Sequence, residues 1–161
     1  MATDGNDVRY VRINGDITSL ARCFFEFERE NLFKKVFWYL PENYMENLSN
    51  FYGFFQDLSP CSIYRVFNES ETMAYFFIDD HIIPCHCRIG CAVLRKHWGE
   101  FAENFAKTLL PEVHEKLKIQ RVYAFTPFKT AVSLCERIGM KRAGLIKQYA
   151  GGMDVYVYVH E

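Results

Sequence analysis

A chain of 161 residues with half its positions apolar and a formal net charge of −1 has material for one hydrophobic core, and it reads as a single domain over residues 1–161. The near-balanced charge gives no basic surface by composition, so no nucleic-acid partner is expected. No apolar run is long enough to cross a bilayer, and Met1–Asp7 lacks the basic and apolar regions of a secretory signal; no membrane partner and a cytoplasmic location are expected.

In chain order, Val8–Ile13 alternates as a strand should, and Asn14-Gly15-Asp16 turns into a helical stretch near Ile17 with Asp16 as its cap. From Phe24 to Phe55 the chain is dense in aromatic residues, spread over helices broken near Pro41. Two readings stand for this region. It is either a pair of helices packed on a sheet, or a surface of which part lines an acceptor pocket or meets a protein partner or a second copy of the chain over residues 24–55.

Ser62–Phe67 and Thr72–Ile78 read as two strands joined by the polar turn Asn68-Glu69-Ser70-Glu71, with a third strand over Cys87–Leu94. Asp79, Asp80 and His81 fall in the connection before that third strand, where solvated turn residues are the rule. The six cysteines, Cys23, Cys61, Cys85, Cys87, Cys91 and Cys135, read as reduced thiols rather than a disulfide framework. On an extended strand Cys85, Cys87 and Cys91 share one face and His86 takes the other, so they do not converge on a metal and none is expected.

After Lys96-His97-Trp98-Gly99 comes a helix with Phe101, Phe105, Leu109, Val113 and Leu117 along one stripe and Pro111 as a point of kinking. Gln120–Phe125 is the next strand, which makes the segment a strand–helix–strand crossover of parallel, right-handed form. Ala131, Leu134, Cys135 and Ile138 recur at helical spacing, and Gly139 supplies the helix stop. Arg142–Tyr149, Gly151-Gly152 and Met153–Val159 then form an antiparallel hairpin.

The run Ala131-Val132-Ser133-Leu134-Cys135-Glu136-Arg137-Ile138-Gly139-Met140-Lys141-Arg142-Ala143-Gly144 resembles the last helix and strand of the GNAT N-acetyltransferases, Ala-x-x-Leu-Tyr-Glu-Lys-Leu-Gly-Phe-x-x-x-Gly. The hairpin around Asp154 is similar to that family's final strand. The resemblance implies an α+β fold with a central mixed, mostly antiparallel sheet of about seven strands, one parallel β-α-β crossover and flanking helices. It also implies acetyl-coenzyme A as cosubstrate and an amine acceptor.

In that family the turn from strand to helix holds the pyrophosphate of coenzyme A, with free backbone N–H groups and the helix dipole as the physical reason. The matching stretch is Lys96, His97, Trp98, Gly99, Glu100 and Phe101, and Trp98-Gly99 resembles the branch that acetylates protein N-termini and related amines. Phe101 stands where the family has glycine or alanine, and Glu100 adds negative charge. The resemblance implies polarising backbone N–H groups around Ala92, Val93 and Leu94. Cys135 occupies the position of the family's general-acid tyrosine, where a thiol in an apolar stripe also reads as core filler, and Phe128 that of an asparagine at the start of the last helix. His86 and His81 are the candidates for the base.

Two functions follow from this reading. One is transfer of an acetyl group from acetyl-coenzyme A to a primary amine by direct attack in a ternary complex. The other, which Glu100, Phe101 and Cys135 favour, is a catalytically inert module of the same fold that binds a protein partner.

Overall fold

The computed structural model describes residues 7–69 and 71–161; Ser70 of the expected turn, and Met1–Asn6 of the segment read against a secretory signal, lie outside the described residues. The strands are β1 Arg9–Arg12, β2 Ser62–Phe67, β3 Thr72–Ile82, β4 His86–Val93, β5 Arg121–Thr126, β6 Lys141–Ala150 and β7 Met153–His160. The helices are α1 Ile17–Arg29, α2 Phe33–Val36, α3 Leu48–Phe54, α4 Glu100–Leu117 and α5 Lys129–Arg137. The strands form a seven-stranded sheet in the order β1-β2-β3-β4-β5-β7-β6. β4 and β5 pair in parallel on either side of α4 in the chain, while β1–β2, β5–β7 and β6–β7 are antiparallel. This is the expected α+β, mostly antiparallel sheet with one parallel crossover.

The chain divides into two compact units, Met1–Phe77 with Cys91–Trp98 and Ile78–Gly90 with Gly99–Glu161. In the first, Asp16 caps α1 as its sequence position predicts: its carboxylate accepts from the Ser19 N–H at 3.2 Å and from the Ser19 hydroxyl at 2.8 Å. Asn14, buried just before it, ties the start of β2 to the turn, accepting from Ile63 N–H at 2.8 Å and donating to the Cys61 carbonyl at 2.9 Å. The apolar face of α1 meets α2, α3 and the inner half of β3 in a cluster of rings. Phe24, Phe27, Phe33, Phe37, Phe51, Phe55, Tyr75 and Phe77 are all buried in it. Of the two readings of the aromatic region, this burial supports the packed helices. Phe25 and Tyr44 are the large apolar side chains of residues 24–55 left mainly exposed.

One polar pair lies inside that core. Tyr75 Oη donates to Glu26 Oε1 at 2.5 Å, and burial pushes the Glu26 carboxyl above its ordinary range against the pull of this hydrogen bond. Because the folded pKa is raised, stability is greatest below the unfolded value near 4.5 and falls as pH rises from there towards the folded value. Tyr75→Phe removes the donor that offsets this loss. The variant is expected to be less stable by about 1–3 kcal/mol at pH 7 and by less at pH 4, measured by denaturant titration. An equal loss at both pH values would show that the hydroxyl does not act on the carboxylate charge.

In the second unit, β3 runs on to Ile82, so Asp79, Asp80 and His81 are strand residues, a correction to their placement in a connection. Charge pairing holds this polar end: Arg88 of β4 donates to both carboxylate oxygens of Asp79, at 2.8 and 2.7 Å, and lies over the Phe125 ring. α4 runs through Pro111 and buries Leu109, Leu110 and Val113, whereas Phe101, Phe105 and Leu117 of the expected stripe are half-buried. α5 ends as its glycine predicts. Gly139, at φ 88°, lets the Met140 N–H reach the Cys135 carbonyl at 3.0 Å and its own N–H reach that of Glu136 at 3.2 Å. β6 and β7 close the chain as the expected hairpin around Gly151-Gly152, with shifts of register between Arg142 and Gly144 and between Ile146 and Ala150.

Candidate functional site

At the end of β4, Leu94 N–H binds the Met73 carbonyl at 3.0 Å, and Arg95–His97 makes a single 3-10 turn. The Glu30 carboxylate accepts from the Arg95 backbone N–H at 2.6 Å and caps this turn. The indole of Trp98 is fixed by its N–H, which donates to the Val93 carbonyl at 2.7 Å. Ala92 and Leu94 are buried.

The second unit resumes at Gly99, the N-cap of α4, with φ 96° and ψ −126° and no side-chain cap. A Cβ on Gly99 would meet nothing within 4 Å, so the backbone conformation, not crowding, demands glycine here. The first N–H groups of any helix lie outside its intrahelical ladder, and the dipole of this 18-residue helix adds positive potential at that point. Such a start attracts an anion. Glu100 and Glu103 lie in the same first turn and oppose it. Glu103 is neutralised, since Lys107 at 2.9 Å and Arg137 at 3.3 Å bind it, and the Lys107 hydrogen bond above all lowers its pKa. Glu100 is exposed. The Phe101 ring stacks on Phe105 at 5.7 Å.

Lys96, in the stretch matched to the family's pyrophosphate turn, has its ammonium on Glu71 at 3.0 and 3.1 Å, and His97 Nε2 lies 3.4 Å from the same carboxylate. The Lys96 hydrogen bond leads in holding the Glu71 carboxyl below its usual range. No local signal announces this pairing, because Glu71 belongs to a turn that reads only as polar.

β4 keeps register with β5 only over His86–Arg88, while β5 stays registered with β7 from Val122 to Thr126.

Of the expected catalytic residues, His86 acquires partners. Its Nε2 lies 3.5 Å from Asp80 Oδ2, and its ring stands edge-on to Tyr123 at 5.8 Å. Asp80 has φ 48°, a positive value that no sequence signal announced. His81 is exposed on β3. Cys135 is 7 % exposed, and burial pushes its thiol up to about 11, which fits the core-filling role of an apolar stripe. Phe128 is the N-cap of α5, where its backbone N–H donates to Thr126 Oγ1 at 3.0 Å and its side chain caps nothing. Cys87 is buried, whereas Cys85 and Cys91 are exposed.

No family model matches the chain, and no curated protein matches it in sequence. Solved structures match over nearly its whole length. An acetyltransferase of the GNAT family from Bacillus anthracis is 16% identical at a TM-score of 0.71, covering 94% of each chain. A spermidine N-acetyltransferase from Vibrio cholerae, in complex with CoA and spermine, is 14% identical at a TM-score of 0.75, covering 96% of this chain and 95% of that one. An acetyltransferase from Salmonella typhimurium that modifies the N-terminal serine of ribosomal protein L7/L12 is 14% identical at a TM-score of 0.73, covering 96% and 94%. At these identities the likeness is one of fold: the chain has the GNAT acetyltransferase fold. Among the described residues no helix is long and apolar enough to cross a membrane.

Proposed function

We propose that this protein transfers an acetyl group from acetyl-coenzyme A to a primary amine by direct attack in a ternary complex, in the cytoplasm. The observation that carries this reading is the start of α4 at Gly99, which no side chain caps and whose helix dipole suits a pyrophosphate. The neighbour from Vibrio cholerae, solved with CoA and spermine, supports the same cosubstrate and an amine acceptor.

The residues fit the cosubstrate with one adverse charge, Glu100. The first turn of α4 receives the pyrophosphate. Backbone groups of Ala92 and Val93 bind the extended arm and donate to the thioester oxygen as it gains charge, while the Leu94 N–H stays on the Met73 carbonyl. His86, oriented by Asp80, accepts the proton that the ammonium of the acceptor must lose before it can attack. The amine nitrogen then bonds to the thioester carbon, the carbon–sulfur bond breaks, and the proton that the nitrogen sheds on becoming an amide ends on the departing thiolate. Cys135 is not assigned that last protonation, because it is a buried core thiol.

A second reading, the inert module, is favoured by Glu100 beside the anion site and by Lys96 held on Glu71. Calorimetric titration with acetyl-coenzyme A, with desulfo-coenzyme A as the control for thiol exchange, separates the two. Saturable binding of micromolar order, about −8 kcal/mol, is expected for the transferase, and no binding at millimolar concentration selects the inert module. In the active protein His86→Gln is expected to lower kcat by about 10²–10⁴ while leaving acetyl-coenzyme A affinity unchanged. An unaltered kcat would move the base elsewhere.

A further inference from the structure

β6 ends the sheet, with β7 on one side and, among the described residues, no strand on the other. An antiparallel edge strand turns alternate backbone N–H and C=O groups outward, where another strand can add. Every residue of Lys141–Ala150 is exposed except Gly144 and Ala150, which are half-buried. Cations flank two apolar side chains along it: Lys141 and Arg142 precede Leu145 and Ile146, 38% and 37% exposed, and Lys147 follows them. The shift of register after Arg142 sets Arg142 opposite Tyr158 and Leu145 opposite Tyr156, so both share the tyrosine face of β7. The Arg142 guanidinium accordingly lies 4.9 Å from the Tyr156 ring centroid. Ile146, opposite Val155, takes the other face. β6 contains no acid, and among the described residues Lys141, Arg142 and Lys147 make no ion pair. The acids of the adjoining elements are engaged: the Asp154 carboxylate of β7 accepts from the Gln148 N–H at 3.1 Å, and Glu136 of α5 interacts with the Tyr158 hydroxyl.

We propose that the outer edge of β6 takes up an acidic, extended peptide segment of a partner protein as an added strand. The main chain of the segment completes the ladder over Arg142–Lys147, and its side chains meet Leu145 on one face and Ile146 on the other. Carboxylates near its ends meet Arg142 and Lys147, which are five residues, about 15 Å of extended chain, apart. Charge selects this occupant over a second copy of the chain. Two copies of β6 laid edge to edge would gather the cations of both with no carboxylate in either strand, and edge lysines keep sheets from pairing with themselves in this way. Beyond Lys147 the strand leaves its register and Gln148 has φ 51°, which sets the length of the docking edge. The edge shares no residue with the turn into α4 or with residues 24–55, and it would serve an active and an inert protein alike.

The test titrates the full chain into a fluorescein-labelled, end-capped peptide, Glu-Glu-Val-Thr-Val-Thr-Val-Glu-Glu, and follows its anisotropy. This peptide is expected to bind saturably. Versions with Lys in place of every Glu, or with alternate backbone nitrogens methylated, are expected to bind at least about tenfold more weakly. Arg142→Glu with Lys147→Glu is expected to reverse the preference between the Glu and Lys peptides; should that variant melt early, the peptide series still decides the matter on the parent chain. Hydrogen exchange is expected to slow over residues 142–147 in the bound state. Binding of the methylated peptide as tight as that of its parent would reduce the edge to a charged surface and overturn strand addition. Protection confined to other residues, or no binding at millimolar concentration, would overturn it as well. Sedimentation of the protein alone tests the second copy: a dimer that Ile146→Lys dissolves would assign the edge to self-pairing and refute the acidic partner.

Discussion

Gly99→Trp is expected to abolish acetyl-coenzyme A binding, and Gly99→Ala to weaken it at least tenfold, even though a Cβ at this position meets nothing within 4 Å. The cause is the backbone. With φ 96° and ψ −126°, residue 99 occupies a region that costs an L-residue about 1–3 kcal/mol. A side chain there either stores that strain in the folded protein or relieves it by rotating the turn. Rotation would re-aim the N–H groups that open α4, so affinity falls through lost preorganisation. If the strain is retained, the melting temperature drops by about 2–12 °C for a chain of this size. Tryptophan adds bulk over the helix start, which explains the larger expected effect. Calorimetry on both variants, with melting curves alongside, checks this. Native affinity in Gly99→Trp would remove the α4 turn from the cofactor site.

The elements with strong local chemistry are legible in the amino-acid sequence. Asp16 at a helix cap, Gly139 at a helix end and Gly151-Gly152 between alternating segments each encode their geometry within a few residues, and all three behave as expected. The crossover around α4 is legible for the same reason. What escapes a reading of the sequence is set by contacts between segments distant in the chain. Asp79-Asp80-His81 has the composition of a solvated turn, yet Arg88, nine residues on, holds Asp79 from the facing strand. Glu71 reaches Lys96 across 25 residues, and Lys35 reaches Trp98 across 63. No periodicity records such pairings. The aromatic segment poses a different difficulty: its rings are too many for a one-sided stripe, and only their mutual packing shows how they are buried.

That packing carries the largest stability effect. Phe27→Ala is expected to lower stability by about 3–5 kcal/mol, a drop of about 6–20 °C in melting temperature. Phe27 is 0% exposed and lies between 5.6 and 6.5 Å, centroid to centroid, from Phe33, Phe37, Phe51, Tyr75 and Phe77. Most of these contacts are edge-on, the arrangement that adds to simple burial. Removing the ring leaves a cavity whose walls belong to α1, α2, α3 and β3, and rigid rings cannot collapse into it. Phe25, two residues earlier on the opposite side of α1, is 56% exposed and serves as the control. Phe25→Ala should stay within about 1 kcal/mol of the parent. The same cluster also contains Ala92 of β4, which the proposed site uses through its backbone, and Leu94 just beyond the strand. Well below its melting point Phe27→Ala should still bind acetyl-coenzyme A with parental affinity. A variant that melts as the parent does would show that the ring cluster is not the core, and the packed-helix account of residues 24–55 would fall with it.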